Sequence, residues 1–125
     1  MKKEILLIDD DAEEHELFCM AIEKYNHHIS CKHATNCNEG LKLALAEHPD
    51  IIFLDYNMPV INGYECLKHI KGYSSLKELP VYMYSASSVS SEYKNLCIEA
   101  GAKGWINKPQ DLESYHRLFC RIHYL

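Results

Sequence analysis

Long hydrophobic runs are missing from this chain of 125 residues. The longest, Ile5 to Ile8 and Ile51 to Leu54, are short against the roughly 20 residues of a membrane helix, so no membrane insertion is expected. Basic runs are scarce as well. Thirteen Lys and Arg face eighteen Asp and Glu, for a net charge of −5, which leaves no electrostatic footprint for a direct nucleic-acid partner. An export leader is missing too: the basic Met1-Lys2-Lys3 is followed by an apolar stretch that stops at Asp9-Asp10-Asp11, too short for an h-region of about 7 to 15 residues. A cytoplasmic location is the expectation. The six cysteines contain no C-x-x-C pair and are read as reduced thiols. No repeat, low-complexity tract or Gly/Ser/Pro-rich linker divides the chain. A single domain over residues 1–125, with no effector domain after it, is expected.

What is present is alternation. Short apolar runs at Glu4 to Ile8, Ile29 to His33, Ile51 to Leu54, Val81 to Tyr84 and Gly104 to Ile106 read as five strands. Between them, apolar residues recur at helical spacing: Leu17, Phe18, Ala21, Ile22 and Tyr25; Leu41, Ala44 and Leu45; Tyr64, Leu67 and Ile70; Tyr93, Leu96, Cys97 and Ala100; Leu112, Tyr115, Phe119 and Ile122. Gly101 reads as a C-cap of the fourth helix, and Asn62-Gly63 as a loop feeding the third. Strand and helix in strict turn predict an α/β fold, a (βα)5 doubly wound parallel five-stranded sheet covered on both faces.

Ligands of such sheets bind in the crevice at the carboxyl ends of the strands. Here those ends are polar: Asp9-Asp10-Asp11, Asp55, Ser85 and Asn107-Lys108-Pro109. Carboxylates converging from two strands repel unless a cation lies among them. Hard oxygen ligands without a dedicated cage suit Mg2+, with Mn2+ able to substitute. With the site neutralised, one carboxylate can attack phosphorus to give an aspartyl phosphate, and Asp55 is the candidate nucleophile. Ser85 and Lys108 supply a hydroxyl and an ammonium for phosphoryl oxygens.

These residues carry a family resemblance. Ile5-Leu6-Leu7-Ile8-Asp9-Asp10-Asp11, Asp55-Tyr56-Asn57-Met58-Pro59 with Asn62-Gly63, Ser85-Ala86 and Lys108-Pro109 resemble the response-regulator receiver domain of two-component phosphorelay signalling, over the whole chain and with matching intervals. The resemblance implies a CheY-like, flavodoxin-like fold with strand order 2-1-3-4-5, an order that the pattern alone does not supply. It implies that Asp9, Asp10, Asp55 and the backbone carbonyl of Asn57 hold the metal, that Asp55 accepts phosphate, and that Ser85, Trp105 and Lys108 are switch residues. It also implies a cis Lys108-Pro109 bond. Family members usually carry Tyr or Phe where this chain has Trp105. The function implied is a stand-alone switch that catalyses its own phosphorylation and dephosphorylation and is not a multiple-turnover enzyme. Its partners would be a histidine kinase or histidine phosphotransfer protein and an unknown downstream protein.

Plainer readings stand beside this one. Asp11 reads as the N-cap of the first helix, with Glu14 completing a capping box. Ser85, in the run Ser85-Ala86-Ser87-Ser88, could bond only local backbone. His27, His28, Cys31, His33 and Cys37 have zinc-ligand chemistry, but their spacing matches no standard finger. The nine tyrosines, Tyr82 and Tyr84 among them, read as core or partner contacts, since no basic stripe accompanies them. Two rival functions remain. A phosphatase of the haloacid dehalogenase type wants Asp-x-Asp on its first strand, which Asp55-Tyr56-Asn57 is not, and would turn over a small phosphate ester. A degenerate receiver would bind partners unphosphorylated, and Asp55→Asn would leave its output unchanged.

Overall fold

Each apolar run of the sequence lies inside a strand of a single parallel sheet. The computed structural model describes residues 2–25, 28–86 and 89–125; His27 of the zinc reading and Ser87 and Ser88 of the serine run lie outside them. The order is β1 (Lys3–Ile8), α1 (Ala12–Tyr25), β2 (Ile29–Ala34), α2 (Cys37–Glu47), β3 (Ile51–Asp55), α3 (Gly63–Gly72), a short 3-10 turn (Ser74–Leu76), β4 (Val81–Ser85), α4 (Ser91–Glu99), β5 (Gly104–Asn107) and α5 (Leu112–Ile122). The strands lie in the order β2-β1-β3-β4-β5, all pairs parallel. The strand assignments hold to within a residue at each end. β3 and β4 run one residue further than the apolar pattern, so that each ends on a polar residue of the crevice, Asp55 and Ser85.

Alternation along the strands makes two cores. Leu6, Ile8, Ile52, Leu54, Val81 and Met83 face α2, α3 and α4, with Cys37, Ala44, Cys66, Leu67, Ile70 and Cys97 packed on them. Ile5, Leu7, Ile51, Phe53, Tyr82 and Tyr84 face α1 and α5, against Phe18, Ala21, Tyr115, Leu118, Phe119 and Ile122. All five residues of β3 and of β4 are buried, as expected of central strands covered on both faces. At about 1.5 to 3 kcal/mol per large apolar side chain, these two layers dominate the stability of the fold.

Side-chain caps start the helices. Asn36, Asn62, Ser90 and Asp111 each accept a hydrogen bond from the backbone N–H three residues on. α4 stops in a Schellman motif: Gly101, at φ 114°, donates to the Ile98 carbonyl, and Ala102 donates to that of Cys97. Asn62-Gly63 feeds α3 as its pattern implies.

Three expectations are corrected. Asp11 caps α1 by accepting from the Glu13 N–H, but Glu14 does not close a capping box, because its carboxylate turns into the core to meet two tyrosines. Cys37 and Cys66 are not free thiols: they form a disulfide with their Cα atoms 5.7 Å apart, since α2 and α3 lie on the same sheet face and tertiary packing joins cysteines distant in sequence. No peptide bond among the described residues is cis, so Lys108-Pro109 is trans, the form that X-Pro bonds still favour by about 0.5 to 1 kcal/mol.

Candidate functional site

The chain leaves β1 toward β2 on one side and returns to β3 on the other, which opens a crevice at the carboxyl ends of β1 and β3. Parallel register aligns the strand ends: Ile8 lies beside Leu54, Asp55 beside Tyr84, and Ser85 beside Asn107. Asp9 follows Ile8 directly, so it comes to lie next to Asp55. The result is a cleft of about 350 Å³ lined by Asp9, Asp10, Asp11, Asp55, Asn57, Ser85, Ala86 and Lys108.

Its acidic groups are placed for a small cation. One carboxylate oxygen from each of Asp9, Asp10 and Asp55 lies within 4.8 Å of the others. Asp9 and Asp55 are buried while Asp10 is exposed, which leaves a solvent side for water or phosphate oxygens. Hard donors in that arrangement fit Mg2+, which keeps several waters and needs few protein carboxylates. Asp9 Oδ1 accepts from the Asp11 N–H at 2.9 Å. Its buried Oδ2 makes no well-aligned hydrogen bond and is met by the Lys108 ammonium at 2.8 Å. Lys108 Nζ also stands 3.5 Å from Asp55 Oδ1, and the Asn57 N–H donates to that same oxygen at 3.3 Å.

The electrostatics follow. Burial, then the neighbouring Asp9 charge, push the Asp55 carboxyl up to about 7, against the opposing pull of Lys108 and the Asn57 N–H. Burial works against the Lys108 charge, yet Asp9 and Asp55 outweigh it and hold the ammonium above its ordinary range. A lysine thus stands where a metal would also draw on Asp9 and Asp55.

Gly63 explains how α3 comes so near the loop that follows β3. Its N–H donates to the Tyr56 carbonyl at 2.9 Å, and a Cβ there would meet the Asp55 carbonyl oxygen at 2.4 Å and Tyr56 Cα at 2.7 Å. The loop between them holds Val60 at φ 69°, fully exposed, a conformation disfavoured for a β-branched residue.

Ser85 is buried at the end of β4 and lines the cleft. Trp105 is further away, on the face of α3 and α4: its ring lies 5.8 Å from that of Tyr56, the Lys94 ammonium is 5.7 Å from its centroid, and its buried Nε1 makes no hydrogen bond. The cleft therefore gathers Asp9, Asp10, Asp55, Asn57, Ser85 and Lys108 but not Trp105. The zinc reading stays set aside: Cys37 is in the disulfide, and His33 Nε2 donates to the Asp9 carbonyl at 2.6 Å. Sequence reasoning missed Glu14, since an acid in the first turn of a helix looks like a cap.

A doubly wound five-stranded sheet with an acid cluster, a hydroxyl and a lysine at one crevice defines a flavodoxin-like α/β domain whose cleft is suited to a cation and an anion. Comparison with known proteins agrees: residues 5–119 match the response regulator receiver domain, and the chain belongs to that family. It is 32% identical over 119 residues to the two-component response regulator ORR6 of Oryza sativa subsp. japonica, covering 94% of this chain and 69% of that one. It is 42% identical over 69 residues to ARR3 of Arabidopsis thaliana, covering 55% of this chain and 29% of the relative. The chemotaxis protein CheY4 of Vibrio cholerae superposes with a TM-score of 0.83 at 26% identity, over 98% of this chain and 99% of that one. Receiver domains of response regulators are signalling switches that accept phosphoryl groups from histidine kinases or phosphotransfer proteins, and they generally bind Mg2+ at an acidic pocket. No helix among the described residues is long and apolar enough to cross a membrane.

Proposed function

We propose that this domain takes a phosphoryl group from a phosphohistidine onto Asp55 and changes a partner-binding surface in consequence. The observation that carries this reading is the convergence of three carboxylate oxygens within 4.8 Å, with Lys108 bridging two of the acids. Asp9, Asp10, Asp55 and the Asn57 backbone carbonyl hold Mg2+, and Mn2+ can replace it. The cation, when bound, neutralises the acid cluster and draws charge from the transferring phosphoryl group. An Asp55 oxygen attacks phosphorus; the O–P bond forms as the N–P bond to the donor imidazole breaks, and the imidazole leaves with its electron pair and takes a proton from solvent.

The chain's own residues then respond. The acyl phosphate adds about 1.5 to 2 negative charges, which Lys108 meets with its ammonium and Ser85 with its hydroxyl. Backbone follows side chain here, because Lys108 N–H donates to the Ser85 carbonyl at 2.8 Å, so the ends of β4 and β5 move together. That differential interaction biases the packing of α4 and α5, which a downstream protein reads. Trp105, beside Lys94 of α4, changes its surroundings in the same step. The domain acts in the cytoplasm and catalyses its own phosphorylation and dephosphorylation, with no direct role for nucleic acid.

The test is incubation with acetyl phosphate, with Mg2+ or with chelator, followed by intact mass and peptide mapping. The expected result is one hydroxylamine-labile phosphate on Asp55, formed only with Mg2+ or Mn2+. Undiminished labelling of Asp55→Asn would overturn the assignment.

A further inference from the structure

Among the described residues one acidic side chain is buried outside the cleft: Glu14, on the first turn of α1, 9% exposed. Its Oε2 accepts from Tyr115 Oη at 2.7 Å and from Tyr84 Oη at 3.2 Å. Both tyrosines are fully buried, and burial first, then neighbouring groups that include Glu14, push their phenols far above the ordinary range, so they stay neutral donors. One carboxylate oxygen thereby joins α1, β4 and α5.

Tyr84 leads from this junction to the cleft. It immediately precedes Ser85 on β4 and pairs in register with Asp55. The Lys108 ammonium lies 5.6 Å from the centroid of its ring, a cation–π distance. The ring is stacked on Phe53 at 5.5 Å and tilted against Phe18 at 6.0 Å, and its hydroxyl end is held by Glu14. Lys108 therefore has two sets of partners. Asp9 and Asp55 are those a divalent cation would claim; the Tyr84 ring, with the Glu14 charge at its hydroxyl end, is one that no cation in the cleft would take. Burial opposes the lysine charge, Asp9 and Asp55 favour it most, and Glu14 favours it too.

We propose that Glu14 is a positioning residue for Lys108: by anchoring the Tyr84 ring it keeps a seat for the ammonium at the rim of the cleft when metal takes Asp9 and Asp55, and through Tyr115 it ties that seat to α5. The proposal rests on the reading that Asp9, Asp10 and Asp55 bind Mg2+. Lys108 and Mg2+ compete for the same two acids, so a lysine with a second seat releases them more readily. Loss of the Glu14 charge leaves Lys108 more firmly on the acids and makes it a stronger competitor.

The test is a double-mutant cycle read by calorimetric titration with Mg2+ alone, on the whole chain, using wild type, Glu14→Gln, Lys108→Ala and the double variant. Glutamine keeps the length and an acceptor oxygen while removing the charge. Mg2+ affinity is expected to fall about threefold or more on Glu14→Gln in the native background, and by less than half that factor when Lys108 is alanine. Equal factors in both backgrounds overturn the proposal alone, since they assign Glu14 a role that does not pass through Lys108. Absence of Mg2+ binding by wild type overturns the metal reading and the proposal with it. Should Glu14→Gln fail to fold, Tyr84→Phe replaces it in the same cycle, because it keeps the ring and frees it from Glu14; the same inequality supports the proposal and the same equality overturns it.

Discussion

The two faces of the sheet are built from different materials, although both pack on the strand that carries Asp55. Toward α1 and α5 the core is aromatic, with Phe18, Phe53, Tyr84, Tyr115 and Phe119 in mutual ring contact and Glu14 pinning two phenols. Toward α2, α3 and α4 the fully buried core is aliphatic and sulfur-rich, with Met58, Met83, Cys97 and the Cys37–Cys66 pair, and its rings, Tyr64, Tyr93 and Trp105, are only partly buried. Rings and buried hydrogen bonds define one arrangement, while on the opposite face α4, outside the α2–α3 disulfide, packs through Met83, Cys97 and partly buried rings that repack at lower cost. The difference suits a switch, because a charge change in the cleft can be absorbed on one side while the other keeps its shape.

The largest expected effect breaks the aromatic face. Phe53→Ala should cost about 3 to 5 kcal/mol, measured by urea unfolding; a loss well below that would mean that the ring cluster is not the stiffer half. Reduction of the disulfide acts on the opposite face. Its loop of separation 29 is worth about 3.6 kcal/mol by loop entropy, so a reducing agent should lower the midpoint of wild type and leave Cys37→Ala/Cys66→Ala unmoved. An equal shift in both would dismiss the bridge.

A smaller effect concerns pH. Without metal, burial and Asp9 hold Asp55 near 7, so the folded protein keeps a proton that the unfolded chain releases above roughly 4. The stabilisation is therefore complete below that value and is lost as pH rises through 7. Metal-free wild type should lose about 10 °C of Tm between pH 5 and 8 relative to Asp55→Asn, and saturating Mg2+ should remove the difference. A pH-independent gap between the two proteins would show that Asp55 does not titrate in that range.

Part of this was readable in the chain. The apolar runs mark five strands covered on both faces, and the polar residues at their ends mark the crevice, but a uniformly apolar run such as Ile5 to Ile8 does not say which residue meets which helices. The strand order came with the family resemblance. Other features lay beyond the sequence for physical reasons. Glu14 satisfies every local rule for a capping acid, and only the tertiary approach of Tyr84 and Tyr115, far along the chain, draws it inward. Cys37 and Cys66 have no local motif, since crossover packing alone brings them together. The tyrosines were read as packing groups, which Tyr84 is, but its ring also borders the lysine of the cleft.

The central claim is that phosphate on Asp55 is felt on the softer face, where Trp105 lies against Tyr56 and Lys94. Trp105 is the only tryptophan, so its fluorescence reads that face directly. With Mg2+ present, acetyl phosphate should change the emission and quencher access of wild type, while Asp55→Asn, with one acid of the metal site gone, should keep only part of the metal response and show no second step. Protein verified by mass as phosphorylated, with a Trp105 spectrum and quencher access identical to those of the Mg2+ form, would contradict the account.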